Sequence, residues 1–209
     1  MKKEVLTEYE TEKILKKYVP VSRNQLVHSI KEIKLKKYPL VLKIMSKDVV
    51  HKSDIKGVRI VNNKEELEKN FNDLIKISKR KKIKLQGILV QEFHDGHQLI
   101  LGGKKDPVFG QIMLVGGGGI FTEIMKDVSI RACPITKNDA FQMLNEIKYS
   151  KVLEGYRGEK VNLNKLINIM ISFSKLMSSR QDILELDINP LIASRKGIYA
   201  VDARMVLEK

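Results

Sequence analysis

Residues 183–193 read Ile-Leu-Glu-Leu-Asp-Ile-Asn-Pro-Leu-Ile-Ala, and the strict alternation from Glu185 to Asn189 constrains this chain more than any other stretch. Successive side chains of a β-strand leave opposite faces, so Glu185, Asp187 and Asn189 share one face while Leu186 and Ile188 share the other. A turn around Arg195-Lys196-Gly197 then returns the chain through a second β-prone run, 197–207, which carries Asp202 back against the first strand. A strand so divided belongs in a sheet with one side on a core and the other open to chemistry. Oxygen donors gathered on one face are what Mg²⁺ takes, and that ion keeps positions for water and phosphate. The competing reading is a solvated acidic edge, but such an edge does not usually lie inside segments as apolar as Ala200-Val201 and Pro190-Leu191-Ile192.

The remaining pattern is mixed. Thr7 with Glu10 forms a capping box for a short helix whose apolar face is Ile14, Leu15 and Tyr18, and Leu26, Val27, Ile30 and Ile33 have the spacing of a second helix. Strands are expected over 38–45, 57–61 and 87–93, with a helix capped by Asn63 and Glu66 running to 79. Short strands over 98–101, 109–115 and 120–125, separated by Gly-rich or Asp-Pro turns, read as an antiparallel meander. Helices near 137–148 and 163–177 precede the closing hairpin. The fold class is therefore α+β with much antiparallel sheet, in one unit of two lobes, 1–86 and 87–209, that meet near Gln86. Neither internal repeats nor a flexible linker is visible.

Composition excludes several classes. No apolar run approaches the roughly 20 residues that a bilayer crossing needs, and the Met1-Lys2-Lys3-Glu4 opening lacks a secretory leader. A cytoplasmic location is expected, in keeping with a single cysteine, Cys133. The net charge of +14 suits nucleic acid, phosphate ligands or an acidic protein partner. Its lysines are spread along the chain, aromatics are only 6% and Trp is absent, so the stacking residues of a single-strand binder are missing.

Individual residues suggest a phosphate chemistry. Lys43 sits inside Leu40-Val41-Leu42-Lys43-Ile44, where an ammonium needs an anion unless it snorkels from an edge strand, and a nucleotide phosphate is the natural one. Val90-Gln91-Glu92-Phe93 leaves a strand between the two lobes and can offer backbone groups to an adenine edge, with Glu92 on ribose hydroxyls. The four glycines 116–119, Gly117 and Gly118 among them, allow backbone N–H groups to approach phosphates. No Lys-Ser or Lys-Thr follows, so this is not a Walker A loop. His51, just after the Lys43 strand, can ligate metal, cap a helix or accept a phosphoryl group. His94 and His97, around Asp95-Gly96, read as loop residues.

Taken together, these segments resemble the β subunits of ADP-forming acetyl-CoA synthetases, within the NDP-forming acyl-CoA synthetase family. The resemblance runs through 38–43, His51-Lys52-Ser53-Asp54, Asp106-Pro107-Val108-Phe109-Gly110, the glycine run with Ile120, Glu123, Asp127, Arg131 and Pro134, then Gly155-Tyr156-Arg157-Gly158, Asp187-Ile188-Asn189-Pro190 and Val201-Asp202-Ala203-Arg204. It implies an ATP-grasp fold binding ATP or ADP between two lobes, with Lys43 on phosphate, Glu92 at the nucleoside, and Gly117, Gly118 and Glu123 lining the nucleotide. It further implies Mg²⁺ on Asn189 and Asp202 with Asp187 close by, and His51 as the phosphoryl relay. The partner implied is a CoA-binding α subunit, in an α2β2 heterotetramer. Family members commonly carry Glu where this chain has Gln98 and Gly where it has Lys56, which bears on metal and nucleotide binding. A free-standing ATP-grasp carboxylate–amine ligase and a basic nucleic-acid-binding protein are the alternatives.

Overall fold

The computed structural model describes residues 2–49, 52, 54–118, 127–155 and 160–209. Its described part divides into two units, residues 22–93 and residues 1–21 with 94–209. The sequence pattern places a single boundary near Gln86. The division falls elsewhere because the first strand pairs with the last, and because the strand after Gln86 is internal to the smaller sheet.

The smaller unit is a four-stranded antiparallel sheet, ordered β2 (Asn24–Val27), β5 (Gly87–Glu92), β3 (Leu40–Met45), β4 (Val58–Val61). Helix α2 (Lys64–Arg80) is capped as expected, with the Asn63 side chain accepting the Glu66 N–H. It lays Leu67, Phe71 and Leu74 on Leu40, Leu42, Ile44, Ile88 and Val90, one face of β3 and β5. The helix expected over 26–33 is not formed. Instead β2 is followed by one short 3₁₀ turn, Ile30–Glu32. The reason is Gln25, whose amide donates to the Glu32 carbonyl while its oxygen accepts the Lys34 and Leu35 N–H groups. Those bonds hold 32–35 against β2, where an i→i+4 ladder cannot continue.

The larger unit is built on a seven-stranded sheet. Its main path runs β1 (Lys3–Leu6), β11 (Ala203–Glu208), β9 (Ile183–Ala193), β6 (His97–Asp106), β7 (Gly110–Gly117), β8 (Val128–Ala132), and β10 (Ile198–Ala200) also pairs with β9. All these pairings are antiparallel. Helices α1 (Glu8–Leu15), α3 (Lys137–Glu146) and α5 (Leu163–Ser179) supply the apolar side of the core, and α4 (Ser150–Leu153) is one turn. Capping boxes start two of them, Thr7 with Glu10 for α1 and Thr136 with Asp139 for α3. Leu99, Leu101, Met113, Val115, Leu186 and Ile188 meet Met143, Met170, Phe173 and Met177 in that core. Burying Phe173 completely contributes on the order of 2–3 kcal/mol. The residues that alternate with them in sequence, Gln98, Ile100, Asp187 and Asn189, therefore leave the other face of the sheet. Strands β1 and β8 were not legible in the sequence, and the strand expected over 120–125 lies outside the described residues. Among the described residues no helix is long and apolar enough to cross a membrane.

Candidate functional site

The closing hairpin carries the most densely functional face. Opposite β9, the return chain is not one strand but two, β10 and β11, interrupted at Val201 and Asp202. Across the interruption the Asn189 N–H donates to the Asp202 carbonyl at 3.1 Å and the Val201 N–H donates to the Pro190 carbonyl at 3.3 Å. On the other side of β9 the register slips: Ile188 faces Leu101 and Leu191 faces Leu99, three steps against two. The extra residue is accommodated at Asn189-Pro190, whose peptide bond is cis. A bulge reverses the alternation, which is why Asp187 leaves the open face while Leu191 and Ala193, of the same parity, lie in the core. Asn189 and Asp202 sit across from one another, and side chains so placed emerge on the same side. Asn189 is exposed and Asp202 half-buried.

Asp187 lies two residues along, directly opposite Arg204, which also stands 3.8 Å from the Glu185 carboxylate. Burial pushes the Asp187 carboxyl above the usual carboxylate range, with the Arg204 charge opposing that shift and the Glu185 charge adding to it. Asp187, Glu185 and Arg204, together with Lys104 and the apolar Ile112, Leu114 and Ile130, line a cavity of about 330 Å³ on this unit. Among the described residues there is no group of three His, Cys, Asp or Glu side chains placed to hold a metal. An amide oxygen and a carboxylate at a bulge nevertheless fit Mg²⁺, which characteristically takes one or two protein ligands and completes its shell with water and phosphate oxygens.

The glycine run has a different basis from the one its sequence suggested. A Cβ on Gly116 would come within 2.6 Å of the Asp127 carbonyl, one on Gly117 within 2.9 Å of the Tyr149 ring, and one on Gly118 within 2.9 Å of the Gln98 backbone. The Gly118 N–H already donates to the Gln98 carbonyl at 2.7 Å, so it is not open to a phosphate. Close packing accounts for glycine at these three positions. Glu123 and Gly119 lie outside the described residues.

In the smaller unit, Lys43 occupies a central strand, between Leu89 of β5 and Val58 of β4, and is 5% exposed. That excludes the edge-strand snorkelling reading. Glu92 is the last residue of β5, with Arg23 4.0 Å from its carboxylate. Its N–H donates to the Arg23 carbonyl, its carbonyl accepts the Ser22 hydroxyl at 2.9 Å, and the Phe93 N–H donates to the Pro39 carbonyl. The backbone donors expected to meet an adenine edge at 92–93 are thus engaged inside the sheet. His51 lies outside the described residues. Of the two loop histidines, His94 is in a loop and stacks on Tyr199 at 4.3 Å, whereas His97 opens β6 and meets Tyr149 edge-on at 6.4 Å. The surroundings of the Tyr149 side chain are not visible in the sequence, since it meets Gly117, His97 and Gln98, 32 or more positions away.

A family model for the ATP-grasp domain matches residues 1–207. The subunit beta of ADP-forming acetate–CoA ligase I from Pyrococcus furiosus is 40% identical over 212 residues, covering 97% of this chain and 91% of that one. ADP-forming acetate–CoA ligase I from Archaeoglobus fulgidus is 41% identical over 174 residues, and there the match spans 81% of this chain but only 25% of the relative's length. Among solved structures, the dinucleotide-forming acetyl-coenzyme A synthetase 1 of Ca. Korarchaeum cryptofilum, in complex with coenzyme A and Ca-AMPCP, superposes with a TM-score of 0.93 at 38% identity, covering 98% of this chain and 94% of that one. The same enzyme has also been solved with Mg-AMPPCP, its phosphohistidine segment pointing towards the nucleotide-binding site.

Proposed function

The chain belongs to the ATP-grasp domain family, with the beta subunits of ADP-forming acetate–CoA ligases, and from that premise we propose that it is the nucleotide-handling subunit of an acid–CoA ligase. The net reaction is acyl-CoA, phosphate and ADP giving the free acid, CoA and ATP. A CoA-binding α partner forms the acyl phosphate as the CoA thiolate leaves. The phosphoryl group then passes to a histidine nitrogen, releasing the carboxylate, and from nitrogen to the terminal oxygen of ADP. In this reading His51 is the relay on this chain, and the assembly is α2β2.

The observation that supports the reading best is the Asn189–Asp202 pairing across the interrupted strand. Those two residues would hold Mg²⁺, with Asp187 two residues along the strand. When bound, the ion neutralises polyphosphate oxygens and aligns the transferred group. Lys43, buried in its central strand, supplies a fixed positive charge to a phosphate oxygen; desolvation makes that charge more effective than an exposed lysine's. Gly117 and Gly118 contribute by letting Tyr149 and Gln98 approach closely, and Glu92 and Glu123 remain assigned to the nucleotide. Gln98, where the family commonly carries Glu, leaves the metal with one carboxylate fewer nearby.

The test is to mix the chain with its α partner and follow ATP made from acetyl-CoA, ADP and phosphate. Activity only in the mixture, with acid-labile phosphate trapped on the chain when ADP is withheld and lost in His51→Ala, is the expected outcome. ATP-dependent ligation by the chain alone, unaffected by His51→Ala, supports the free-standing ligase instead, and a complex inactive with every acyl-CoA rejects the reading.

A further inference from the structure

Tyr149 is 8% exposed and touches β6 and β7 of the larger sheet. Its ring lies on Gly117 of β7, close enough that a Cβ there would be 2.9 Å from a ring carbon. Its hydroxyl is hydrogen-bonded to the Gln98 backbone, and the His97 ring stands edge-on to it at 6.4 Å. Gln98 is in turn the acceptor for Gly118 at 2.7 Å. The phenol therefore sits at the end of the β6–β7 ladder, whose last pair is Leu99 with Gly117.

The placement of that ring is itself dictated. One oxygen of the Asp127 carboxylate accepts the Lys148 N–H and the other accepts the Tyr149 N–H, both at 2.8 Å. Asp127 directly precedes β8, and its carbonyl occupies the space that a side chain at Gly116 would need. Three consecutive glycines thus accommodate, in order, the Asp127 carbonyl, the Tyr149 ring and the Gln98 backbone. Two neighbouring relations tie this brace to the hairpin. Gln98 pairs with Ile192 of β9, and the register slip that houses Asn189 lies between Leu99 and Leu101, immediately beyond it. A displacement of β6 at Gln98 is a displacement of the strand against which the bulge is set.

We propose that Tyr149, oriented by Asp127, is a positioning residue for the nucleotide site: it fixes Gln98 and the Gly117–Gly118 backbone, and through them the bulge that presents Asn189 to Asp202. This rests on the metal-nucleotide reading given above. It also states what the glycine run is for, namely to admit the brace. Neither residue touches the nucleotide; both act through the geometry of the strands, a kind of support on which preorganised sites depend.

The test is titration of Mg-ADP into the full chain and its variants by calorimetry, with thermal unfolding run in parallel. Removing the hydroxyl in Tyr149→Phe keeps the ring on Gly117 and is expected to weaken binding about threefold, while Tyr149→Leu and Asp127→Ala weaken it about tenfold. Asp127→Asn, which keeps one acceptor oxygen, recovers part of the Asp127→Ala loss. A role confined to stability would lower the unfolding midpoint of Tyr149→Leu but leave its Kd within twofold of wild type at temperatures where both are folded, and that result overturns the inference. Should Tyr149→Leu fail to fold, an unchanged Kd in Tyr149→Phe overturns it equally. Asn189→Ala separates the two claims: weakened binding there with normal binding in the Tyr149 variants refutes the brace alone. Unchanged binding in Asn189→Ala refutes the metal-site reading, and the brace with it.

Discussion

The backbone N–H of Asn189 donates to the carbonyl of Asp202 at 3.1 Å, at the one place where the strand opposite β9 breaks into β10 and β11. The bond links two irregularities that have a common origin. On one flank β9 gains a residue against β6, and on the other its partner loses strand geometry at Val201-Asp202. Bulges redirect side chains, and this one sets an amide and a carboxylate across from one another partway along the hairpin.

Removing either oxygen donor should therefore affect ligand binding and leave the fold unchanged. Asn189 is exposed and Asp202 half-buried, and their linking bond is between backbones, which a side-chain truncation preserves. Asn189→Ala and Asp202→Ala are each expected to raise the Kd for Mg-ADP by about tenfold or more, the scale of a lost charge-assisted ligand. Their unfolding midpoints should stay within about 2 °C of wild type. Normal Mg-ADP binding in either variant would displace the metal from this hairpin.

Asp187 should make the protein more stable to mild acid than its neighbours alone would. Burial is the chief reason its carboxyl lies above the ordinary range, so the folded chain holds that proton more tightly than the unfolded chain does. The contribution is fully present below the unfolded value, near 4, and is lost as pH rises through the folded one. At pH 7 the carboxylate is a net cost, reduced but not removed by Arg204. Asp187→Asn is expected to raise the unfolding midpoint at pH 7 by about 2 °C, a gain that disappears near pH 3. A variant less stable than wild type at pH 7, or one whose advantage persists in acid, would contradict the assignment.

What the sequence made legible follows from the range of the interactions. Local signals worked: the capping box at Thr7, the Asn63 cap and the alternation from Glu185 to Asn189 all depend on residues within four positions, and each appears in the structure. The false helix over 26–33 failed for a non-local reason, because the Gln25 amide reaches seven to ten residues ahead and holds the chain in another path. Strand β1 is not legible because its only strand partner among the described residues is β11, about 200 residues away. The surroundings of the glycine run could not be read, since the Asp127 carbonyl, the Tyr149 ring and the Gln98 backbone are brought against it only by the fold.

The glycines allow a comparison in which the shorter contact is the more tolerant. A Cβ at Gly103 would come within 2.7 Å of the Met177 thioether, the adaptable end of a flexible side chain, whereas one at Gly118 would come within 2.9 Å of the Gln98 backbone. Gly103→Ala is expected to cost less than about 1 kcal/mol and Gly118→Ala about 2 kcal/mol or more, because only the first neighbour can move without breaking a ladder bond. Denaturant unfolding of the two variants checks the order, and equal or reversed costs would refute it.

Lys56 presents the opposite case, a side chain where none is favoured. Its φ of 54° is in the left-handed region. The residue ends the turn that β4 follows, in which the Gly57 N–H donates to the Lys52 carbonyl at 2.7 Å. An L-residue in that conformation costs roughly 1–2 kcal/mol, and a glycine there is without strain but adds entropy to the unfolded chain. The strain is the larger effect, so Lys56→Gly is expected to stabilise the protein by about 0.5 kcal/mol, read as a rise in the urea midpoint with an unchanged slope. Lys56→Ala keeps the Cβ and with it the strain, and should show no such gain; a rise equal to that of glycine would mean that the lysine side chain itself, and not its backbone conformation, is what destabilises this turn.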